Sequence, residues 1–270
     1  MQCTVEILSI GNELLLGNTV NTNASWIASQ ITKLGGKVTR ITTVPDDLDD
    51  ISRSIKGALR RRPNLLITTG GIGPTFDDMT LRGVARAVHV RMKLNTVAVE
   101  MIRAHYVRRF PGRRISLTRP RLKMARIPSG STPVRNPLGT APAVRLTVRG
   151  VAIFCLPGVP REAKAIFRET VSKTVRARTG GMVFVERWLK VEGVMESTLA
   201  PIIDRVMRRW RDVYIKSHPR GVEAGGRPVI ELQFSISSTT PRTARRTVLG
   251  SVSALKGELK DFSARVTDAT

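Results

Sequence analysis

Hydrophobic positions along the chain alternate between two periods. Residues 5–10, 38–44 and 64–68 read as strands. The third is a short apolar run with no helical period, as expected of a parallel strand buried on both faces. Between the strands the spacing lengthens: Ile27, Ile31 and Leu34 share a helix face after Asn21-Thr22-Asn23, and Leu48, Ile51, Ile55 and Leu59 share another after Pro45-Asp46-Asp47. Leu81, Val84, Ala85 and Val88 mark a third helix. Such alternation predicts a parallel sheet covered by helices on both sides. Further on, residues 95–110 form a helix, 143–148 and 151–156 pair as a hairpin around Arg149-Gly150, and a helix runs from 161 to about 178.

Gly180-Gly181 is the natural boundary, because the pattern then changes to a β-α-β-β-α order with strands at 182–191, 213–216 and 229–236. The prediction is an α/β chain: a three-layer α/β/α domain with a mostly parallel sheet over residues 1–180, then a small α+β unit over 181–270.

One stretch stands out chemically. Thr69-Gly70-Gly71-Ile72-Gly73-Pro74-Thr75-Phe76-Asp77-Asp78-Met79-Thr80 follows the third strand at once. Its glycines permit backbone angles closed to other residues and leave amide N–H groups bare enough to meet a phosphate. The helix that follows adds its dipole. Asp77 and Asp78 then conflict with the phosphate, unless a divalent cation or a strong donor set lies between. Thr75 and Asp78 also have the spacing of a capping box, so part of this acidity has an ordinary explanation. In open parallel sheets the ligand lies beyond the carboxyl ends of the strands. Glu13, Asp46 and Asp78 each follow a different strand and are expected to face one crevice.

Composition adds a second constraint. The net charge is +24, with 30 Lys and Arg against 11 Asp and Glu in residues 1–180 and 15 against 10 in 181–270. That field attracts any polyanion, be it nucleic acid, a membrane surface or a phosphorylated small molecule. Residues 101–135 contain no acid, and the irregular part from 108 to 126 reads as a solvated basic surface or as a flap that neutralises phosphates. The small unit has neither a GxxG clamp nor an aromatic stacking pair to support nucleic-acid binding, which is the less favoured partner. Cys3 and Cys155 lie apart in apolar runs and are expected as buried thiols; three scattered histidines have no metal-ligand spacing. No apolar run is long enough for a membrane span and no signal peptide is evident, so a cytoplasmic location without membrane attachment is expected.

Gly11-Asn12-Glu13-Leu14-Leu15-Leu16-Gly17, Asn21-Thr22-Asn23, the 69–80 loop, Asn136-Pro137-Leu138-Gly139-Thr140-Ala141-Pro142 and Leu156-Pro157-Gly158 together resemble the amino-terminal domain of the CinA family. That domain is similar to the MoaB/MogA molybdopterin-binding domain. The chain departs from the family pattern at Ala143, where glycine is usual, and at Val159, where proline is usual. The unit from 181 looks like the small KH-like domain of CinA proteins. No counterpart of the carboxy-terminal nicotinamide mononucleotide deamidase domain is seen, and deamidase activity is not expected. The resemblance implies self-association as a dimer or trimer, and a pocket for a phosphorylated pterin or nucleotide. It also implies that Asp46 and Asp78 serve metal binding and catalysis.

The expected activity is therefore hydrolysis of a nucleotide pyrophosphate such as ADP-ribose, dependent on Mg, Mn or Co. Asp46, Asp78 and Glu13 are the expected metal ligands. Gly70, Gly71, Gly73, Thr75, Gly139 and Gly158 are expected around the phosphates, with Asn136 and Thr140 at the pocket rim. Arg119, Arg121 or Lys123 would meet the transition-state charge. The alternatives are a molybdopterin-binding protein or adenylyltransferase of molybdenum cofactor biosynthesis, and a non-enzymatic basic protein associated with nucleic acid.

Overall fold

A computed structural model of the chain describes residues 3–222 and 226–269, which fall into two compact units, Met1–Gly180 and Gly181–Thr270. In the first unit, β1 (Thr4–Ile10), α1 (Asn12–Leu15), α2 (Thr22–Lys33), β2 (Lys37–Val44), α3 (Leu48–Arg61), β3 (Leu65–Thr69) and α4 (Thr80–Ala87) follow one another. Next come β4 (Met92–Leu94), α5 (Thr96–Arg109), α6 (Arg119–Met124), β5 (Arg126–Pro128), β6 (Thr132–Val134), β7 (Ala143–Val148) and β8 (Val151–Leu156). The unit closes with α7 (Pro160–Ile166), which passes through one π turn, Phe167–Val171, into α8 (Ser172–Arg178).

The main sheet has the order β2-β1-β3-β8-β7-β6. Strands β2, β1, β3 and β8 are parallel, and the hairpin partner β7 and then β6 add antiparallel. The β3 and β8 strands are buried from end to end, and their side chains divide by the two-residue period between two cores. Leu65, Ile67, Phe154 and Leu156 pack with Ile27, Ile31, Ile166 and Phe167 on the α2/α7 side. Leu66, Ile153 and Cys155 pack with Ile51, Ile55, Val84 and Ile102 on the α3/α4/α5 side. Each such fully buried aliphatic side chain contributes roughly 1.5–3 kcal/mol of transfer free energy, which explains why these strands read as uninterrupted apolar runs. Cys3 and Cys155 are free, buried, and belong to opposite cores; burial pushes the Cys155 thiol up to about 11.

The second unit contains β9 (Val183–Glu192), α9 (Glu196–Arg209), β10 (Tyr214–Val222), β11 (Pro228–Ser238), α10 (Pro241–Glu258) and β12 (Arg265–Ala269). Its sheet is antiparallel throughout, in the order β10-β11-β9-β12, with Leu189, Val191, Leu232 and Phe234 buried against Leu199, Ile202, Val248 and Leu255 of the helices. The strand β12 is absent from the sequence reading: its Arg-Val-Thr-Asp-Ala has one inward apolar residue, Val266, and it is held by backbone pairing to β9.

Five other elements differ from expectation. The segment 108–126, read as irregular, contains α6, whose Pro120 occupies the first turn where a missing N–H costs nothing. Strands β4, β5 and β6 have three residues each, too short for a two-residue period to register. Finally, α4 begins at Thr80 after Met79, which makes no side-chain cap, so Thr75 and Asp78 form a turn before the helix and do not cap it. No helix among the described residues is long and apolar enough to cross a membrane.

Candidate active site

The parallel strands β1, β2, β3 and β8 all deliver their carboxyl ends to one cleft of about 510 Å³. Gly11 and Glu13 follow β1, Asp46 follows β2, residues 70–78 follow β3, and Pro157, Gly158, Val159 and Glu162 follow β8. Thr140 and Ala141 enter from the loop before β7, while Tyr106 of α5 and Met124 of α6 close the side.

Backbone geometry explains the glycines. Gly70 and Gly71 have φ of 97° and 65°, in the left-handed region that disfavours side chains. A Cβ on Gly70 would overlap the Ile10 carbonyl oxygen, and one on Gly71 would overlap the Thr80 hydroxyl. The Gly70 N–H donates to the Leu156 carbonyl at 3.1 Å, so this amide is committed to the neighbouring strand. Thr80, fully buried, closes the loop: its hydroxyl donates to the Gly70 carbonyl at 2.7 Å and its N–H to the Gly71 carbonyl at 2.9 Å. Gly158 lies beside this turn, where a Cβ would stand 3.4 Å from Gly70 Cα.

The adjacent acids Asp46 and Asp47 have separate functions. Asp47 caps α3, accepting from the N–H groups of Asp49 and Asp50 at 2.9 Å. Asp46 lines the cleft and accepts from the Asn12 N–H at 2.8 Å, while its own N–H donates to the Asn12 side chain at 3.3 Å. Burial raises the Asp46 carboxyl above its usual value; the Asn12 hydrogen bond opposes this, and the charges of Glu13, Asp77 and Asp78 add to it. Those four acids therefore share one electrostatic neighbourhood. In the loop, Asp78 Oδ2 accepts from the Thr75 N–H at 2.8 Å and lies 2.6 Å from its hydroxyl, which is also within reach of Asp77. The Thr75 hydroxyl holds the Asp77 carboxyl below its usual value.

Several expected ligand contacts are placed otherwise. Asn136 is only 6% exposed, and its whole amide is spent on its own loop and on Glu162 of α7. Its oxygen accepts from the N–H groups of Leu138 and Gly139 at 3.1 and 2.8 Å, and its nitrogen donates to the Ala141 carbonyl and Glu162 Oε2 at 3.0 and 2.7 Å. Asn136 therefore shapes the loop, leaving Thr140 and Ala141 as its cleft-lining residues; Gly139 is where the Glu162 carboxylate packs against the backbone. Lys123 also points away from ligand duty. Its Nζ donates to the backbone carbonyls of Gly73, Thr75 and Asp78, which uses all three of its protons and braces the acidic loop from behind. Burial pulls its pKa down, against the pull of Asp78 and Asp77. The Arg121 guanidinium stacks 3.8 Å from the centre of the Tyr106 ring, and Arg119 is exposed at the start of α6. Of the anticipated basic flap only Met124 lines the cleft, beside Tyr106 of α5. Thr75 does not line the cleft and acts by orienting Asp77 and Asp78.

Sequence reasoning missed Asn12, Asn23, Tyr106 and Glu162 as site-building residues. Asn23, in the motif Asn21-Thr22-Asn23, donates to the Gly158 carbonyl at 2.7 Å, whereas Asn21 caps α2. The position of Glu162, four residues after Gly158 in the first turn of α7, was an available signal.

A divalent cation fits the donor chemistry of this cleft. Five carboxylates line it, those of Glu13, Asp46, Asp77, Asp78 and Glu162, with no Lys or Arg among the lining residues. Among the described residues no three His, Cys, Asp or Glu side chains form a ready-made cage. Carboxylates on separate loops suit a hard cation that keeps much of its water and bridges one or two carboxylates to ligand phosphates.

Fold and cleft together define an α/β protein whose candidate site lies at the carboxyl ends of parallel strands. The chain belongs to the family described as "probable molybdopterin binding domain", whose profile matches residues 6–177. A protein from Sulfurisphaera tokodaii is 39% identical over 251 residues, covering 93% of both chains, and one from Aeropyrum pernix is 40% identical over 262 residues, covering 97% of this chain and 96% of the relative. Among solved structures, the protein CinA with unknown function from Thermoplasma acidophilum matches at 38% identity and a TM-score of 0.58, over 63% of this chain and 98% of that one. The resemblance to CinA-type molybdopterin-binding domains is thereby established for the first unit.

Proposed function

We propose that the first unit hydrolyses the pyrophosphate of an ADP-ribose-like dinucleotide in a reaction that requires Mg²⁺, Mn²⁺ or Co²⁺. The observation that carries this reading is a cleft that pairs a glycine turn with Asp46, the three acids that act on it, Glu13, Asp77 and Asp78, and no lining Lys or Arg. Such a site repels a bare diphosphate and accepts one that arrives with a metal.

Water attacks one phosphorus, the anhydride P–O bond breaks, and AMP and ribose 5-phosphate leave with the two phosphate groups between them. A divalent ion bound there would supply charge neutralisation and polarise the phosphoanhydride. Asp46 and Asp78, with Glu13 beside them, would hold it. Backbone N–H groups from Gly71 to Gly73 bind the phosphate oxygens, since the Gly70 amide is already engaged. Asn12 holds the Asp46 carboxylate toward the cleft, Thr75 orients Asp77 and Asp78, and Lys123 fixes the loop that carries them. Because the ligand form of Asp46 is the ionised one, metal binding is expected to strengthen as pH rises, and the raised Asp46 pKa moves that gain to higher pH than for an ordinary carboxylate.

A second reading follows from the family description: the same cleft holds the phosphate of a molybdopterin, with binding or adenylyl transfer in place of hydrolysis. Incubating the pure protein with ADP-ribose and each metal, and separating products by chromatography, tests the first reading. Release of AMP is expected; no AMP with any of the three metals would contradict it, and tight binding of molybdopterin would then favour the second.

A further inference from the structure

The cleft contains one acid that the metal-and-phosphate chemistry does not use. Glu162 lines it from the β8 side, whereas Asp46, Glu13 and the 70–78 loop follow β2, β1 and β3 in sheet order. The acids that raise Asp46 are Glu13, Asp77 and Asp78; Glu162 is not one of them, so it stands apart from that cluster. Its carboxylate is held by a dedicated arrangement. Oε2 accepts from Asn136 Nδ2 at 2.7 Å, and the carboxylate rests against Gly139, where any Cβ would collide with it. Asn136 is itself fixed by three further hydrogen bonds within its loop. One hydrogen bond from a fixed Asn136 and close packing on Gly139 thus orient a single carboxylate that shares the cleft lining with Tyr106 and Val159. Among the described residues no Lys or Arg forms an ion pair with Glu162.

An anionic, fixed acceptor beside apolar walls selects neutral hydrogen-bond donors, because a second anion is repelled and an apolar group leaves the carboxylate unpaired. Resting on the proposed phosphoanhydride site, we infer that Glu162 is a specificity residue that accepts an adjacent pair of donors on the uncharged part of the ligand. Two sources carry such a pair: the vicinal hydroxyls of a ribose, and the amino-imino edge of a pterin. Both put two protons on one carboxylate, as a bidentate partner does.

Isothermal titration of the full chain in Mg²⁺ separates them. The probes are ADP, its 2′,3′-dideoxy analogue, and 6-hydroxymethylpterin diphosphate, which has the amino-imino edge and no diol. The variant is Glu162→Gln, whose side-chain oxygen still accepts from Asn136; retention of the wild-type Tm and far-UV dichroism confirms that the loop survives. If the ribose diol is the partner, Glu162→Gln weakens ADP by about tenfold or more and leaves the dideoxy analogue, already weaker in the wild type, unchanged. If the pterin edge is the partner, the pterin diphosphate suffers the loss and ADP does not. Equal affinity of wild type and variant for all three probes, or an equal loss for all three, overturns the role of Glu162 while leaving the phosphate site intact. Failure of the wild type to bind any probe overturns the site and this inference together.

Discussion

The cleft and the surface around it have opposite electrostatic character. Over the whole chain Lys and Arg outnumber Asp and Glu by 45 to 21, yet the cleft is lined by five acids and no base. Even the lysine nearest the acidic loop, Lys123, faces its backbone carbonyls from behind. The two regions perform different steps. A basic exterior concentrates anionic ligands over distances comparable to the Debye length, about 10 Å at 0.1 M salt, whereas binding is decided at contact distance by groups that prefer a cation. Under the proposed function, net charge describes how a phosphorylated ligand would approach, and the local acids describe in what form it would be accepted.

The contrast breaks most visibly at Asp78. Asp78→Asn keeps an acceptor for the Thr75 N–H but removes the charge, so turnover of ADP-ribose is expected to fall by at least about 100-fold, with Tm little changed in a thermal scan. An unaltered rate would remove Asp78 from the chemistry. Lys123→Met comes next. It deletes three donors to the loop carbonyls, and activity should drop by about tenfold. Hydrogen exchange across residues 73–78 should accelerate at the same time. Lys123→Arg should not rescue, because a planar fork cannot direct three protons at converging carbonyls. Unchanged exchange in that loop would show that the brace is dispensable.

The exterior is probed by salt. Raising ionic strength from about 0.05 to 0.5 M should increase KM for ADP-ribose several-fold and leave kcat unchanged, since only the long-range field is screened. A parallel fall in kcat would mean that exposed cations also serve the transition state. The smallest effect concerns stability. Asp46 has a raised carboxyl pKa, first from burial and then from its acidic neighbours. Its ionised form thus costs folding free energy, a cost fully present above the folded pKa and absent below the unfolded value. Asp46→Asn, without metal, is expected to raise Tm at neutral pH by about 1–3 °C, with the gain fading as pH falls through the carboxylate range. A lower Tm at neutral pH would contradict the assigned environment.

Much of this arrangement was legible in the sequence because burial writes a simple code. Buried strands such as β3 and β8 are continuous apolar runs, and amphipathic helices such as α3 repeat their apolar face under a cap, so the layers and the crevice position followed. Gly70 and Gly71 were readable because only glycine suits their backbone angles. What escaped was side-chain direction. Asn136, Arg121 and Lys123 have the chemistry of ligand contacts, but hydrogen bonds to distant carbonyls and a ring decide where they point, and no local spacing encodes those partners. Glu162 was passed over for the same reason, as an acid in the first turn of a helix is ordinary until its partner Asn136 is brought beside it.

The most direct test of the account is the affinity of ADP-ribose measured by isothermal titration at fixed ionic strength, once with Mg²⁺ and once with EDTA. Metal-dependent binding, with heat in Mg²⁺ and none in EDTA, is the expected result. Equal affinity under both conditions would show that the acidic cleft accepts a bare diphosphate, and would contradict the claim that its carboxylates work through a cation.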